Sequence, residues 1–200
     1  MILKKMSKMG LALILGGIFV SACGRTSEIK KGWNTYLNAE HGYSFAYPSE
    51  CFFGPMPSDC KQKPPEERRQ ECLCFLNGEN PDEVFIQAFL GKTDQLSLAT
   101  FFVSHYDTPM YHPPQGTELA SWVKEGFQEM FAEIPDEPNM VINGVPAVRL
   151  HSPQSPMAPS FEEIYFIHND VLLRISMLDV NNEVNKELYE QTLASFILEE

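Results

Sequence analysis

The 200-residue chain is short of positive charge: 15 Lys and Arg stand against 27 Asp and Glu, a formal net charge of −12. A strongly acidic body repels phosphate backbones and anionic headgroups, which excludes ordinary nucleic-acid binding and docking through a polybasic face. No apolar run reaches the roughly 20 residues that a helix needs to span a bilayer. Motifs that carry chemistry alone are also missing. There is no G-x-S-x-G elbow, no phosphate-cradling G-x-x-x-x-G-K-[ST] or G-x-G-x-x-G loop, no H-E-x-x-H and no C-x-x-C. No catalytic residue, metal or cofactor is therefore assigned, and the chain reads as a protein that is not an enzyme. Internal repeats and low-complexity tracts are absent too.

The N-terminal stretch is present and informative. Residues 1–10 hold Lys4, Lys5 and Lys8 and no acid, residues 11–19 are apolar or glycine throughout, and Val20-Ser21-Ala22-Cys23 closes the run. Small residues before a cysteine directly after an apolar segment resemble the lipobox of bacterial lipoproteins. There the cysteine is diacylated, by chains such as palmitate, and becomes the new N-terminus. The resemblance implies a signal peptide at 1–22, lipidation at Cys23 and a membrane anchor, since two or three acyl chains hold a protein durably. Residues 23–32 are polar and read as a flexible tether. Residues 33–200 read as one domain, with a cysteine-bearing loop at 49–80.

From residue 23 onward there are 178 residues carrying 12 basic and 27 acidic side chains, a net charge of −15. Four cysteines, Cys51, Cys60, Cys72 and Cys74, lie within 24 residues. An even number of clustered cysteines in an exported chain reads as a disulfide framework. A ring closed across Leu73 alone is badly strained, so Cys72 and Cys74 do not pair. Cys51 and Cys60 then each bridge to one of Cys72 and Cys74, in either of two schemes. The alternative, a four-thiolate zinc site, lacks the C-x2-4-C knuckles of structural zinc centres.

Aromatic, alternating residues 33–37 and 43–47 predict a β-hairpin. Residues 84–90 and 98–103 are nearly continuous apolar runs, read as central strands that helices must cover. Leu119, Trp122, Val123, Phe127, Met130 and Phe131 follow helical spacing over 118–132, with Thr117 as N-cap. Asn143-Gly144 predicts a type I′ turn inside a hairpin at 140–150. A further hairpin spans 161–178 around His168-Asn169-Asp170, a second amphipathic helix runs over 183–195, and 196–198 adds a short strand. The expected fold class is α+β: a central, mainly antiparallel sheet flanked by helices.

Tyr36-Leu37-Asn38, Gly42-Tyr43-Ser44-Phe45-Ala46-Tyr47-Pro48, Ile142-Asn143-Gly144-Val145-Pro146-Ala147 and a closing helix running into Ser195-Phe196 occur in an order that resembles the PsbP-like family. This family groups relatives of an extrinsic photosystem subunit and includes bacterial lipoproteins. The resemblance implies an α/β sandwich and a scaffold or assembly role. The chain departs from it in having Cys51 where relatives often have Trp, and in its cysteine loop.

Candidates for chemistry remain. His105, Tyr106, Asp107, Tyr111 and His112 form the densest titratable set, but no third metal ligand is identifiable by spacing. His41 and His168 fall in turns and His151 follows a strand, where imidazoles are commonly solvated. Glu162-Glu163 and Asp136-Glu137 are adjacent acids that point apart on a strand and read as solvating groups. Trp33, Tyr36, Tyr43 and Tyr47 suggest either a stacking platform for sugar or peptide or, more simply, core. The function these features favour is an extracytoplasmic lipoprotein that binds or helps assemble an envelope protein. The alternative is an enzyme or a small-ligand protein, taking a cation or a sugar, with a site assembled from dispersed residues.

Overall fold

A computed structural model of the chain describes residues 31–56, 58–61, 73–80, 82–90, 97–106, 112–128, 130–131 and 133–199. The leader, Cys23, most of the tether, Cys72, Asp107 and Tyr111 lie outside these residues.

The aromatic hairpin forms as its alternation predicts. β1 (Trp33–Asn38) pairs antiparallel with β2 (Tyr43–Pro48) in the register Tyr36 to Phe45. Next come β3 (Phe52–Phe53), a single turn α1 (Ser58–Lys61), β4 (Cys74–Asn80), β5 (Glu83–Leu90) and β6 (Ser97–Tyr106). After helix α2 (Leu119–Phe127) the chain forms β7 (Met140–Ile142), β8 (Val145–Ser152), β9 (Phe161–His168) and β10 (Val171–Leu178). Helix α3 (Glu183–Ala194) and β11 (Ile197–Leu198) complete it.

The strands make two sheets. One has the order β1-β2-β11 and the other β3-β4-β5-β6-β10-β9-β8-β7, antiparallel throughout except for β3 beside β4. The β7–β8 and β9–β10 turns are each two residues long with positive φ. Asn143 and Gly144 stand at 47° and 86°, Asn169 and Asp170 at 49° and 60°, as hairpins that preserve strand twist require.

The fold is β-rich, which corrects the expected α+β class: of the described residues 49% are strand and 17% helical. Among the described residues, helices are not the main cover of the central strands, although α3 packs Leu188 and Tyr189 at one end of their core. The aromatic hairpin takes that role, since Tyr43, Phe45 and Tyr47 project from β2 onto Leu76, Val84, Ile86, Phe101, Val103, Phe166 and Leu173 of the large sheet, all nearly inaccessible to solvent. Alternating aromatic residues give β2 an apolar face as wide as a helix stripe, so a second sheet covers the first. Each fully buried Phe contributes roughly 1.5–3 kcal/mol. Phe196, between α3 and β11, pins the layers: its ring stacks on Tyr43 at 5.2 Å and meets Phe166 edge-on at 6.0 Å.

Helix α2 covers only one patch of the other face, packing Ala120 and Val123 with Phe131 against Val148, Leu150 and Tyr165. It is shorter than its periodicity predicts. Its N-cap is Glu118, not Thr117, without a side-chain bond, and the amides of Met130 and Phe131 both return to the Phe127 carbonyl. The cysteine segment is also more ordered than the loop expected at 49–80, because it supplies β3 and β4. Cys51 is bonded to Cys74 across a sequence separation of 23 residues, and Cys60 is buried and disulfide-bonded. Such a bond marks an oxidising, extracytoplasmic compartment. Among the described residues no helix is long and apolar enough to cross a membrane.

Candidate functional site

Residues 145–152 alternate, so Val148 and Leu150 point toward α2 while Arg149 and His151 point the other way, beyond the end of the inter-sheet core. Arg149 sits where β7 no longer pairs with β8. There the side chain of Asn139 substitutes for a neighbouring strand: its Oδ1 accepts from Arg149 N at 2.7 Å and its Nδ2 donates to Arg149 O at 2.9 Å. The backbone under Arg149 is thereby fixed. Its guanidinium reaches Glu162 on β9, with Nε donating to Oε2 at 2.9 Å and Nη2 bonding the same oxygen. His151 Nδ1 lies 3.5 Å from the other carboxylate oxygen.

This arginine divides two concave surfaces. A groove of about 490 Å³ runs between α3 and the sheet, with Met177, Val180 and Leu193 offering apolar surface and Glu162, Glu183, Lys186 and Glu190 offering charge. A second hollow of about 580 Å³ continues past the β8 edge along Ile134, Pro135, Asn139, His151 and Pro153. Among the described residues, neither a serine nor a cysteine lines either surface. Open, apolar within and of both charge signs at the rim, the pair is shaped for a chain segment better than for a compact polyanion.

A polar cluster crosses the opposite sheet face. Arg174 stands alone among the apolar residues of β10, where an unpaired charge would be costly. Its Nη1 lies 3.8 Å from Glu163 Oε1, its Nη2 donates to Ser104 Oγ at 3.2 Å, and its guanidinium sits 5.4 Å from the centre of the Tyr106 ring. Tyr165 donates to Glu163 Oε2 at 2.5 Å, and burial together with that carboxylate pushes its hydroxyl far above the ordinary tyrosine range. Glu162 and Glu163 therefore do point to opposite faces, but Glu163 is buried, not solvated.

The histidines separate as well. His105 faces the core, with Nε2 2.6 Å from the Tyr43 hydroxyl and its ring stacked 4.1 Å from His41. His41 is thus buried, which corrects the solvated-turn reading. His168 Nε2 lies 3.0 Å from Gly42 O. His112 instead approaches the Tyr106 carbonyl at 2.6 Å, so His105 and His112 serve different partners. Among the described residues no group of three or more His, Cys, Asp or Glu is placed to hold a metal ion. Tyr43 and Tyr47 are core, and Tyr36 is half-buried. Asp136 pairs with Lys124, whose ammonium holds the carboxyl below its usual range.

No family model, curated protein or solved structure matches this chain. The groove was hidden from sequence reasoning because Arg149 and Lys186 come from elements far apart in the chain. The one local signal was a charged residue inside an apolar strand, as at Arg174 in Val171-Leu172-Leu173-Arg174-Ile175, which demands a partner.

Proposed function

We propose that this protein is a lipid-anchored, extracytoplasmic binding protein of the bacterial envelope, whose groove between α3 and β8–β10 receives an extended segment of another envelope protein in a non-catalytic assembly role. The observation that carries this reading is the groove itself, with apolar surface from Met177, Val180 and Leu193 inside, charge of both signs at the rim, and a second hollow on the other side of Arg149. The Cys51–Cys74 bond supports the compartment, and the run ending at Cys23 supports the anchor. The scaffold role implied by the PsbP-like resemblance is compatible with such a groove, although the β-rich fold is not the sandwich that resemblance implied.

Co-purification from detergent-solubilised membranes tests it, comparing the native protein with Arg149→Glu. A partner that crosslinks to the native groove and is lost from the variant supports the reading. Equal recovery with both would overturn it. Mass spectrometry of the N-terminal peptide reads the anchor independently: a diacylated Cys23 is expected, and an unmodified thiol there removes the lipoprotein assignment.

A further inference from the structure

We infer that the end of the domain where the tether enters is a membrane-contact face, on which Phe52 and Phe53 seat in the interfacial layer of the bilayer; this rests on the anchorage proposed above.

The tether reaches the body beside the β2–β3 connection, where Gly32 O accepts from Ser49 N at 2.9 Å. Phe52 is three residues further on, so no more than about 11 Å of backbone separates it from that point. These two rings are 43% and 57% exposed, whereas Tyr43, Phe45 and Tyr47 of β2 and Phe101 of β6 are buried. They lie on the terminal strand of the large sheet, and residues 51–56 carry no charge. The rings are held, not loose. Cys51 is bonded to Cys74, Gly54 N donates to Leu76 O at 2.8 Å, and the Phe53 ring stacks on Tyr36 at 6.4 Å. Neighbours on a strand point to opposite faces, so the two rings straddle the edge of the sheet, and an apolar edge held in this way loses little freedom on docking.

Charge is distributed to match. Residues 23–74 carry seven basic and seven acidic side chains, whereas residues 75–200 carry five and twenty. The acidity that forbids a polybasic dock therefore belongs to the rest of the body, and the part next to the tether is neutral. Nine residues from Cys23 to Gly32 reach at most about 30 Å when fully extended, so an anchored body stays close to the surface. Tethering raises the local concentration of the patch to the millimolar range, at which even weak insertion is populated.

The test uses the full chain reconstituted into vesicles of phosphatidylcholine and phosphatidylglycerol containing brominated phosphatidylcholine. Emission of Phe53→Trp is read as a difference from the native protein, which holds Trp33 and Trp122. Met157→Trp is the control, 97% exposed in the β8–β9 connection and five strands away from β3 in the sheet order. The expected result is a blue shift and bromine quenching for Phe53→Trp alone, with the engaged population lowered roughly tenfold by adding Phe52→Ser, from the loss of one inserted ring. A floated protein whose Phe53→Trp emission is no more quenched than the control overturns the inference and leaves the anchorage standing. Shielding from acrylamide without bromine quenching also overturns it, in favour of a protein partner. A chain that does not float with the vesicles removes both.

Discussion

The hydroxyl of Tyr189 in α3 donates to the carbonyl of Leu178 and accepts from the amide of Thr100 at 2.9 Å. Leu178 and Thr100 are register partners of β10 and β6. One helix side chain therefore completes the end of a ladder between two central strands, and it ties α3, the wall of the groove, to the large sheet. Tyr189→Phe leaves a backbone amide and a carbonyl short of a partner, which costs about 1–3 kcal/mol. Urea unfolding measures this. The circular dichroism of the folded state should not change, and no loss of stability would contradict the bridging role.

The pair Glu163 and Arg174 gives a second expectation. Arg174→Met strands the Glu163 carboxylate with the Tyr165 hydroxyl and Ser176, lowering stability by about 2–3 kcal/mol, because an uncompensated buried charge is costly. Adding Glu163→Gln recovers part of that loss. Denaturation of both single variants and the double variant closes the cycle; strict additivity would mean that the two groups do not interact.

Reduction of Cys51–Cys74 frees a loop of 23 residues, and the chain-entropy model assigns such a closure about 3 kcal/mol. Unfolding midpoints of the native protein and of Cys51→Ser paired with Cys74→Ser check this. Equal midpoints would show that the bond is dispensable.

Burial raises the hydroxyls of Tyr43, Tyr165 and Tyr189 far above the ordinary tyrosine value, and raises that of Tyr36 as well. The unfolded chain releases these protons near pH 10 while the folded one retains them. The folded state then binds more protons, so stability is complete below pH 10 and falls as pH rises beyond it, at up to about 1.4 kcal/mol per pH unit for each such group. Absorbance of the Tyr43, Tyr165 and Tyr189 phenolates should therefore appear together with unfolding, above pH 10. A single smooth titration of all seven tyrosines would contradict it.

Local rules made much of the fold legible. The hairpins at 33–48, 140–152 and 161–178 follow from alternation and from Asn143-Gly144 and Asn169-Asp170, whose short polar side chains and missing Cβ tolerate positive φ. What covers the central strands was not legible. An apolar run such as 98–103 has the same pattern under a helix as under a second sheet, and only the partner distinguishes them. β4 escaped notice because it lies inside a charged, cysteine-bearing stretch and depends on pairing with β5. At the candidate site, Glu162 and Glu163 could be sent to opposite faces by strand period alone. That Asn139 would impersonate a strand beneath Arg149, and that His41 would stack on His105, depends on contacts across 10 and 64 residues of chain.

The three-stranded sheet joins the beginning of the domain to its far end, with Ile197 opposite Ser44 and the Ser195 hydroxyl accepting from Ala46 N at 2.7 Å. A polypeptide crossing a membrane in N-to-C order cannot make these contacts until residue 198 has emerged. Tyr43 and Phe45 then remain without Phe196 for most of the passage, and the emerging chain stays loose enough to be threaded. Closure of the small sheet therefore waits for residues 196–198, the last of its parts to be available.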